Sequence, residues 1–182
     1  MPYEIRYSAE ALAELRRLRK FDATAILDHI ERVLTVNPTL ESKARVKKLR
    51  QPAPTQYRLR VGEHRIFYDV EAEHVNVIRI LSKPSLTWGV INMAVETISH
   101  NETHLTALLD KARGEPVILK AASSGEFALL PLDDEVIDLL LERHPKFIAE
   151  CGEIRRRMQH GVYYTHDQVL AALRDEPNKE RK

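Results

Sequence analysis

The stretch that decides the fold reads Tyr57-Arg58-Leu59-Arg60-Val61-Gly62-Glu63-His64-Arg65-Ile66-Phe67-Tyr68-Asp69-Val70. Gly62-Glu63 has the length of a two-residue hairpin loop, with glycine in the first central place as a type II′ turn prefers. The spacing predicts strands over Gln56–Val61 and His64–Val70. It sets Arg60 opposite Arg65, Leu59 opposite Ile66, Arg58 opposite Phe67 and Tyr57 opposite Tyr68. Successive side chains of a strand point to opposite faces. One face therefore carries Arg58, Arg60, Arg65 and Phe67, and the other Tyr57, Leu59, Ile66 and Tyr68. Like charges directly opposite one another cost stability. A sheet face that tolerates Arg60 against Arg65 is expected to meet a polyanion or an acidic partner; a solvated basic face without a ligand is the plain alternative.

Outward from the hairpin, Val75–Leu81 reads as a third strand, and Tyr3–Tyr7 as a first one near the start of the chain. Ser8 is a suitable N-cap for a helix reaching roughly Lys20, with Leu12, Leu15 and Leu18 on its apolar stripe. A second helix from near Asp22 spaces Ile26, Leu27, Ile30, Val33 and Leu34 helically and is stopped by Asn37-Pro38. The stretch Leu40–Arg50 is polar and basic, and Pro52 and Pro54 make it a poor continuation of a helix. The order is β-α-α-β-β-β. A helical hairpin packed on an antiparallel sheet buries both apolar faces, which makes this an α+β fold.

The net charge of +1 over 182 residues conceals a division: residues 1–92 carry +5 and residues 93–182 carry −4. Between Ser42 and Gly62 stand Lys43, Arg45, Lys47, Lys48, Arg50, Arg58 and Arg60, with no acid among them. Halves of opposite sign suit either a nucleic-acid-facing half beside a neutral one, or two halves that hold each other. Guanidinium groups favour bidentate contact with phosphate.

Residues 84–92, with Pro84, Gly89 and Asn92 near their ends and middle, read as a linker. The length leaves room for two domains of about 90 residues each. Beyond the linker, Val95–Ile98 is expected as a strand and Asn101–Arg113 as a helix ended by Gly114. Val117–Lys120 and Phe127–Leu130 flank Ser123-Ser124-Gly125 as a hairpin, and helices follow over Asp134–Arg143 and Lys146–Gln159. Thr165, with Gln168 three residues on, forms a capping box for the last helix.

Tyr3-Glu4-Ile5-Arg6-Tyr7-Ser8, Lys48-Leu49-Arg50, Tyr57–Val61 and His64–Asp69 together resemble the RelE/ParE toxin family over residues 1–83. RelE-type members cleave mRNA on the ribosome with Lys and Arg side chains of this sheet face, and ParE-type members act on DNA gyrase. The resemblance implies that Arg58, Arg60, Arg65 and Lys48 are the catalytic set. It also implies that Lys43, Arg45, Lys47 and Arg50 contact nucleic acid. After the last strand, however, Ser82-Lys83-Pro84-Ser85-Leu86-Thr87-Trp88 holds neither the Arg nor the Tyr or His common there in RNase-type members. RNA cleavage needs a proton acceptor and a proton donor, which arginines do not supply. Lys48, His64 and Lys83 are the remaining candidates. RNA binding is thus better supported than cleavage.

Val95-Glu96-Thr97-Ile98-Ser99, the leucine-rich helix, Gly114-Glu115-Pro116-Val117 and Ser124–Leu132 resemble the Phd/YefM antitoxin family over residues 93–132. That resemblance implies a dimerising operator-DNA-binding unit, with Lys111, Arg113 and Lys120 as its cations, and a toxin-neutralising segment over residues 133–182. An acidic helix with Asp133, Asp134, Glu135 and Asp138 is expected to meet the Arg58/Arg60/Arg65 face. The whole reads as a toxin–antitoxin fusion, with contact inside the chain or across a homodimer and with ribosome-bound mRNA and operator DNA as partners. The alternatives are a catalytically degenerate nucleic-acid-binding regulator and a gyrase inhibitor carrying its own antidote. No apolar run reaches the roughly 20 residues of a membrane helix, and the start lacks a signal-peptide core. The single Cys151 suits a reducing, cytoplasmic setting. No cofactor motif occurs, and His100 and His104 without a third ligand make no metal site.

Overall fold

The computed structural model of the chain describes residues 2–42, 45–82, 103–121 and 125–174. The strand expected at Val95–Ile98, the linker, Lys43, Lys83 and His100 lie outside the described residues.

Strand β1 (Glu4–Tyr7) leads into α1 (Ala9–Arg17) and α2 (Lys20–Leu34), then β2 (Val46–Lys48), β3 (Tyr57–Val61), β4 (His64–Glu71) and β5 (His74–Ser82). Helix α3 (Thr103–Ala112) precedes the strands β6 (Val117–Ala121) and β7 (Gly125–Leu129), which form a separate two-stranded sheet. Then come α4 (Asp134–Arg143), α5 (Pro145–Gln159), β8 (Tyr164–Thr165) and α6 (His166–Arg174). The mixed α+β architecture expected from the sequence is present. Two strands were not expected: β2, in the basic stretch read only as a poor continuation of a helix, and β8.

The main sheet has the order β2-β3-β4-β5-β1-β8. Strand β1 lies parallel to β5, and the remaining pairs are antiparallel. The hairpin register is the predicted one: Tyr57 faces Tyr68, Arg58 Phe67, Leu59 Ile66 and Arg60 Arg65. Gly62 has φ +56°, and Glu63 does not share a positive φ. That pattern fits type II′ and not type I′, which needs positive φ at both central residues.

Alternation assigns each face a different cover. Tyr57, Leu59, Ile66 and Tyr68 join Leu12, Leu15, Ile26, Leu27, Ile30 and Leu34 in a core beneath α1 and α2. On the opposite face Phe67, Ile78 and Leu81 pack with Ile137 and Leu141 of α4 and with Phe147, Cys151, Ile154 and Met158 of α5. The Phe67 and Phe147 rings meet edge to face with centroids 5.0 Å apart. Val169 of α6 reaches the first core, and Thr165 and Gln168 close the capping box through Thr165 N–H to Gln168 Oε1 (2.9 Å) and Gln168 N–H to Thr165 Oγ1 (3.3 Å). Residues 134–174 therefore complete the sheet of the first 82 residues instead of folding apart from it.

Helix α1 also finishes the sheet edge that β1 leaves open along β5. Ser8 caps the helix by accepting from Ala11 N–H (2.9 Å) and donates to the Ile78 carbonyl (2.7 Å). Glu14 accepts the Ile80 N–H (2.6 Å). Two backbone groups of an edge strand, costly when buried without partners, are satisfied by one helix.

Candidate functional site

The basic face predicted for the hairpin exists, and it is covered. Register places Lys47 beside Arg58, Arg58 beside Phe67, and Phe67 beside Arg79, in one row across β2, β3, β4 and β5. Arg65 stands two residues along β4 from Phe67, on the same face. Arg58 and Arg79 are each 8% exposed and Arg65 is 0% exposed. A buried arginine requires counter-charge, and the acids come chiefly from the second half of the chain. Asp138 ion-pairs with Arg58 and takes the Arg65 Nε–H at 3.0 Å. Glu142 lies 3.4 Å from Arg58 Nη1 and accepts from Lys47 Nζ at 3.0 and 3.1 Å. Glu150 accepts from Arg79 Nη1 at 3.0 Å.

Helix α4 delivers its acids by simple periodicity. Asp138 and Glu142 are four residues apart and share a face with the buried Ile137 and Leu141. Asp133 caps the helix by accepting from Val136 N–H at 2.8 Å. Of the acids expected to meet the arginines, Asp138 does so, Asp133 serves as cap and Glu135 is exposed; the side chain of Asp134 lies outside the described residues. Glu142 was missed, although i,i+4 spacing from Asp138 was the signal for it.

Arg79 was also missed, for a local reason. Strict alternation along β5 turns it away from Phe67. The pairing shifts between Phe67 and Tyr68, so that Phe67 faces Arg79 while Tyr68 faces Val77. This bulge puts Ile78 and Arg79 on the same side. Arg79 Nε then donates to Glu14 at 2.6 Å, and its guanidinium lies over the Phe147 ring. Burial lifts the Glu14 carboxyl above its ordinary value of 4.5, against the pull of Arg79 and the Ile80 N–H.

The other nominated residues are dispersed. Lys48 pairs opposite Tyr57 in β2 and so belongs to the α1/α2 side, not to the side of Arg58; Lys47 occupies the place expected of it. Arg60 is half-buried near the turn, with its Nε 3.4 Å from the Gly62 carbonyl. Arg45 and Arg50 are exposed around β2. Lys111, Arg113 and Lys120 are exposed, with Arg113 beside Asp110 and Lys120 beside Glu126. His64 is half-buried at the start of β4.

A second buried contact ties α5 to the sheet. Asp69, 1% exposed, accepts from Arg155 Nε at 2.7 Å and from Gln56 N–H at 2.6 Å. Cys151 lies fully buried beside it, and burial pushes its thiol up to about 12. The arrangement holds concentrated positive charge on a rigid sheet, suited to a polyanion, with carboxylates of the same chain already seated on it. No helix among the described residues is long and apolar enough to cross a membrane.

No curated protein sequence matches the chain. Among solved structures, the toxin–antitoxin complex RelBE2 from Mycobacterium tuberculosis is similar to it at 26% identity and a TM-score of 0.38, over 45% of this chain and 99% of that one. The family model described as "ParE toxin of type II toxin-antitoxin system, parDE" matches residues 5–84. This span runs from β1 through β5 and includes every cation of the covered face, so residues 5–84 form a domain of the ParE toxin kind.

Proposed function

We propose that the chain is a self-neutralised toxin. Its first 83 residues engage RNA through the Lys47/Arg58/Arg65/Arg79 face, and residues 133–174 hold that face shut in cis. The observation that carries this reading is the burial of Arg58 and Arg65 against Asp138. The acids of the electronegative half sit on the cations of the electropositive half. Ribosome-dependent mRNA cleavage is the activity that the RelE resemblance implies. Arginines supply charge stabilisation to such a reaction, and His64 and Lys83 are the groups left to move protons. A second reading, inhibition of gyrase, is favoured by the ParE description of the matching family.

The Phd/YefM-like assignment of residues 93–132 belongs to the same proposal. It is supported by a helix, α3, followed by the β6–β7 hairpin in the expected order. The exposed Ile118 (56%) and Phe127 (54%) of that hairpin support a homodimer contact there. Operator DNA would meet Lys111, Arg113 and Lys120.

Charge reversal on α4 in the full chain tests the proposal. Induced expression of Asp138→Lys/Glu142→Lys is expected to arrest growth where the parent chain does not. Adding Arg58→Ala/Arg65→Ala is expected to restore growth. Loss of translation with cut mRNA identifies the RelE-like action, and altered DNA supercoiling the ParE-like one. Absence of arrest in both the charge-reversed chain and a chain ending at residue 92 would favour the non-catalytic regulator.

A further inference from the structure

Asp138 and Glu142 do more than neutralise charge in bulk. Asp138 spans Arg58 and Arg65, and Glu142 spans Arg58 and Lys47. Two anions thus share one central guanidinium, with one outer cation each. The cations advance one strand at a time, from β4 to β3 to β2, and neighbouring strands lie about 4.8 Å apart. The carboxylates advance with them, because residues four apart on a helix have Cβ atoms about 5–6 Å apart.

We infer that Asp138 and Glu142 occupy the places of two successive phosphates of a single nucleic-acid strand, the first between Arg58 and Arg65 and the second between Arg58 and Lys47. The inference rests on the polyanion-binding reading above and adds to it a register and a direction: the strand passes diagonally from Arg65 on β4 to Arg58 on β3, then straight across to Lys47, and leaves over β2. A carboxylate and a phosphodiester each present two anionic oxygens to a guanidinium fork, which lets one stand in for the other. A free phosphate fills one place only; filling both around the shared Arg58 needs two linked anions. The slot vacated by one helix, about 10–12 Å across with its side chains, admits one strand and not a duplex. The carboxylates also fit imperfectly, since the buried Nε of Arg58 has no hydrogen-bond partner among the described residues. Beyond Lys47, the exposed Arg45 and Arg50 lie around β2, where the strand would emerge.

The test uses the full chain and a fluorescent eight-nucleotide oligouridylate, titrated at several salt concentrations. The parent chain is expected to bind weakly, and Asp138→Asn/Glu142→Gln at least about 10-fold more tightly. Adding Lys47→Ala to that variant is expected to lower the slope of log affinity against log salt by about 0.7, the contribution of one phosphate contact on a single strand. Lys20→Ala, at the exposed start of α2 on the other side of the sheet, should leave the slope unchanged in the same variant. Should the double variant fail to fold, judged by thermal unfolding, Glu142→Gln alone keeps the buried Asp138 pair. It is expected to bind more tightly than the parent and to lose that gain with Lys47→Ala. Unchanged affinity in the folded variants, or a slope indifferent to Lys47, overturns the two-phosphate register. Growth arrest by a released variant that does not bind the oligonucleotide would overturn these subsites and leave self-neutralisation standing. Oligonucleotide binding without growth arrest would do the reverse.

Discussion

Arg65 and Asp138 lie 73 positions apart in the chain and meet with Nε 3.0 Å from Oδ1, both side chains withdrawn from water. Asp138 is also the partner of Arg58, so one carboxylate compensates two buried guanidinium groups. Removing one member of a buried charged set leaves the others uncompensated, which costs more than the intact set contributes. Asp138→Asn is expected to lower the free energy of unfolding by about 3–5 kcal/mol, measured by urea denaturation. Lys47, whose side chain is half exposed, makes the contrast. Lys47→Ala is expected to cost less than about 1 kcal/mol, because solvent screens the pair. Equal losses at the two positions would mean that burial of the arginines is not what makes Asp138 important.

Ser8 joins helix start to sheet edge. Its Oγ accepts from Ala11 N–H and donates to the Ile78 carbonyl, and the residue is 1% exposed. Ser8→Ala removes the cap and leaves a buried carbonyl without its donor. A loss of about 2 kcal/mol is expected, above the roughly 1 kcal/mol of an ordinary cap. Ser8→Thr should retain most of the stability. A Ser8→Ala loss no larger than that of a solvent-exposed cap would show that the edge contact contributes nothing.

Much of this layout is legible in residues 57–70. The turn residues and strict alternation predict the hairpin register pair by pair, and with it the face on which Arg58 and Arg65 stand. The helix ends are legible where a side chain closes them, as at Ser8 and Thr165. Arg79 is not legible, because a bulge is a one-residue slip in pairing that leaves no mark on local hydrophobicity. Strand β2 is not legible either. Its three residues, Val46-Lys47-Lys48, form a strand only by pairing with β3, and tertiary context decides so short a segment. Without that pairing, nothing local tells which of Lys47 and Lys48 shares the face of Arg58. The cover over the arginines was half legible: Asp138 from charge complementarity, Glu142 only once the helix face is known.

Cys151 provides a pH signature for the second core. Burial raises its thiol from an ordinary 9.0 to about 12 in the folded chain. Between those values the unfolded chain has released the proton and the folded chain has not. The folded state then binds more protons, and stability falls as pH rises through this window. Cys151→Ala is expected to remove this component, so that its stability declines less steeply than the parent's above pH ~9. Alkylation of the native parent by iodoacetamide at pH 8 is expected to be negligible until the chain unfolds, since the thiolate is the nucleophile. Rapid labelling of the native chain would refute the sealed packing of α5 on the sheet.

The two helices over the basic face are held by different forces, which predicts how the face opens. Helix α5 buries Phe147, Cys151, Ile154 and Met158. Full burial of such side chains stabilises by about 1.5–3 kcal/mol each. Arg155 further fastens it to Asp69 and to the Pro54 carbonyl. Helix α4 buries only Ile137 and Leu141, exposes Leu139, and relies on Asp138 and Glu142 for the rest of its hold. Local opening follows the weakest set of contacts. In Asp138→Asn/Glu142→Gln, amide hydrogen exchange over residues 134–143 is expected to accelerate by about 100-fold, the equivalent of roughly 3 kcal/mol of lost charge pairing. Residues 145–159 should keep most of their protection. That outcome would make α4 alone the element that uncovers Lys47, Arg58 and Arg65, with α5 a permanent part of the sheet's core. An equal acceleration in both helices would mean that they leave together, exposing Phe67 and Ile78 along with the arginines. Exposure of that much apolar surface would make release an unfolding event and not a switch.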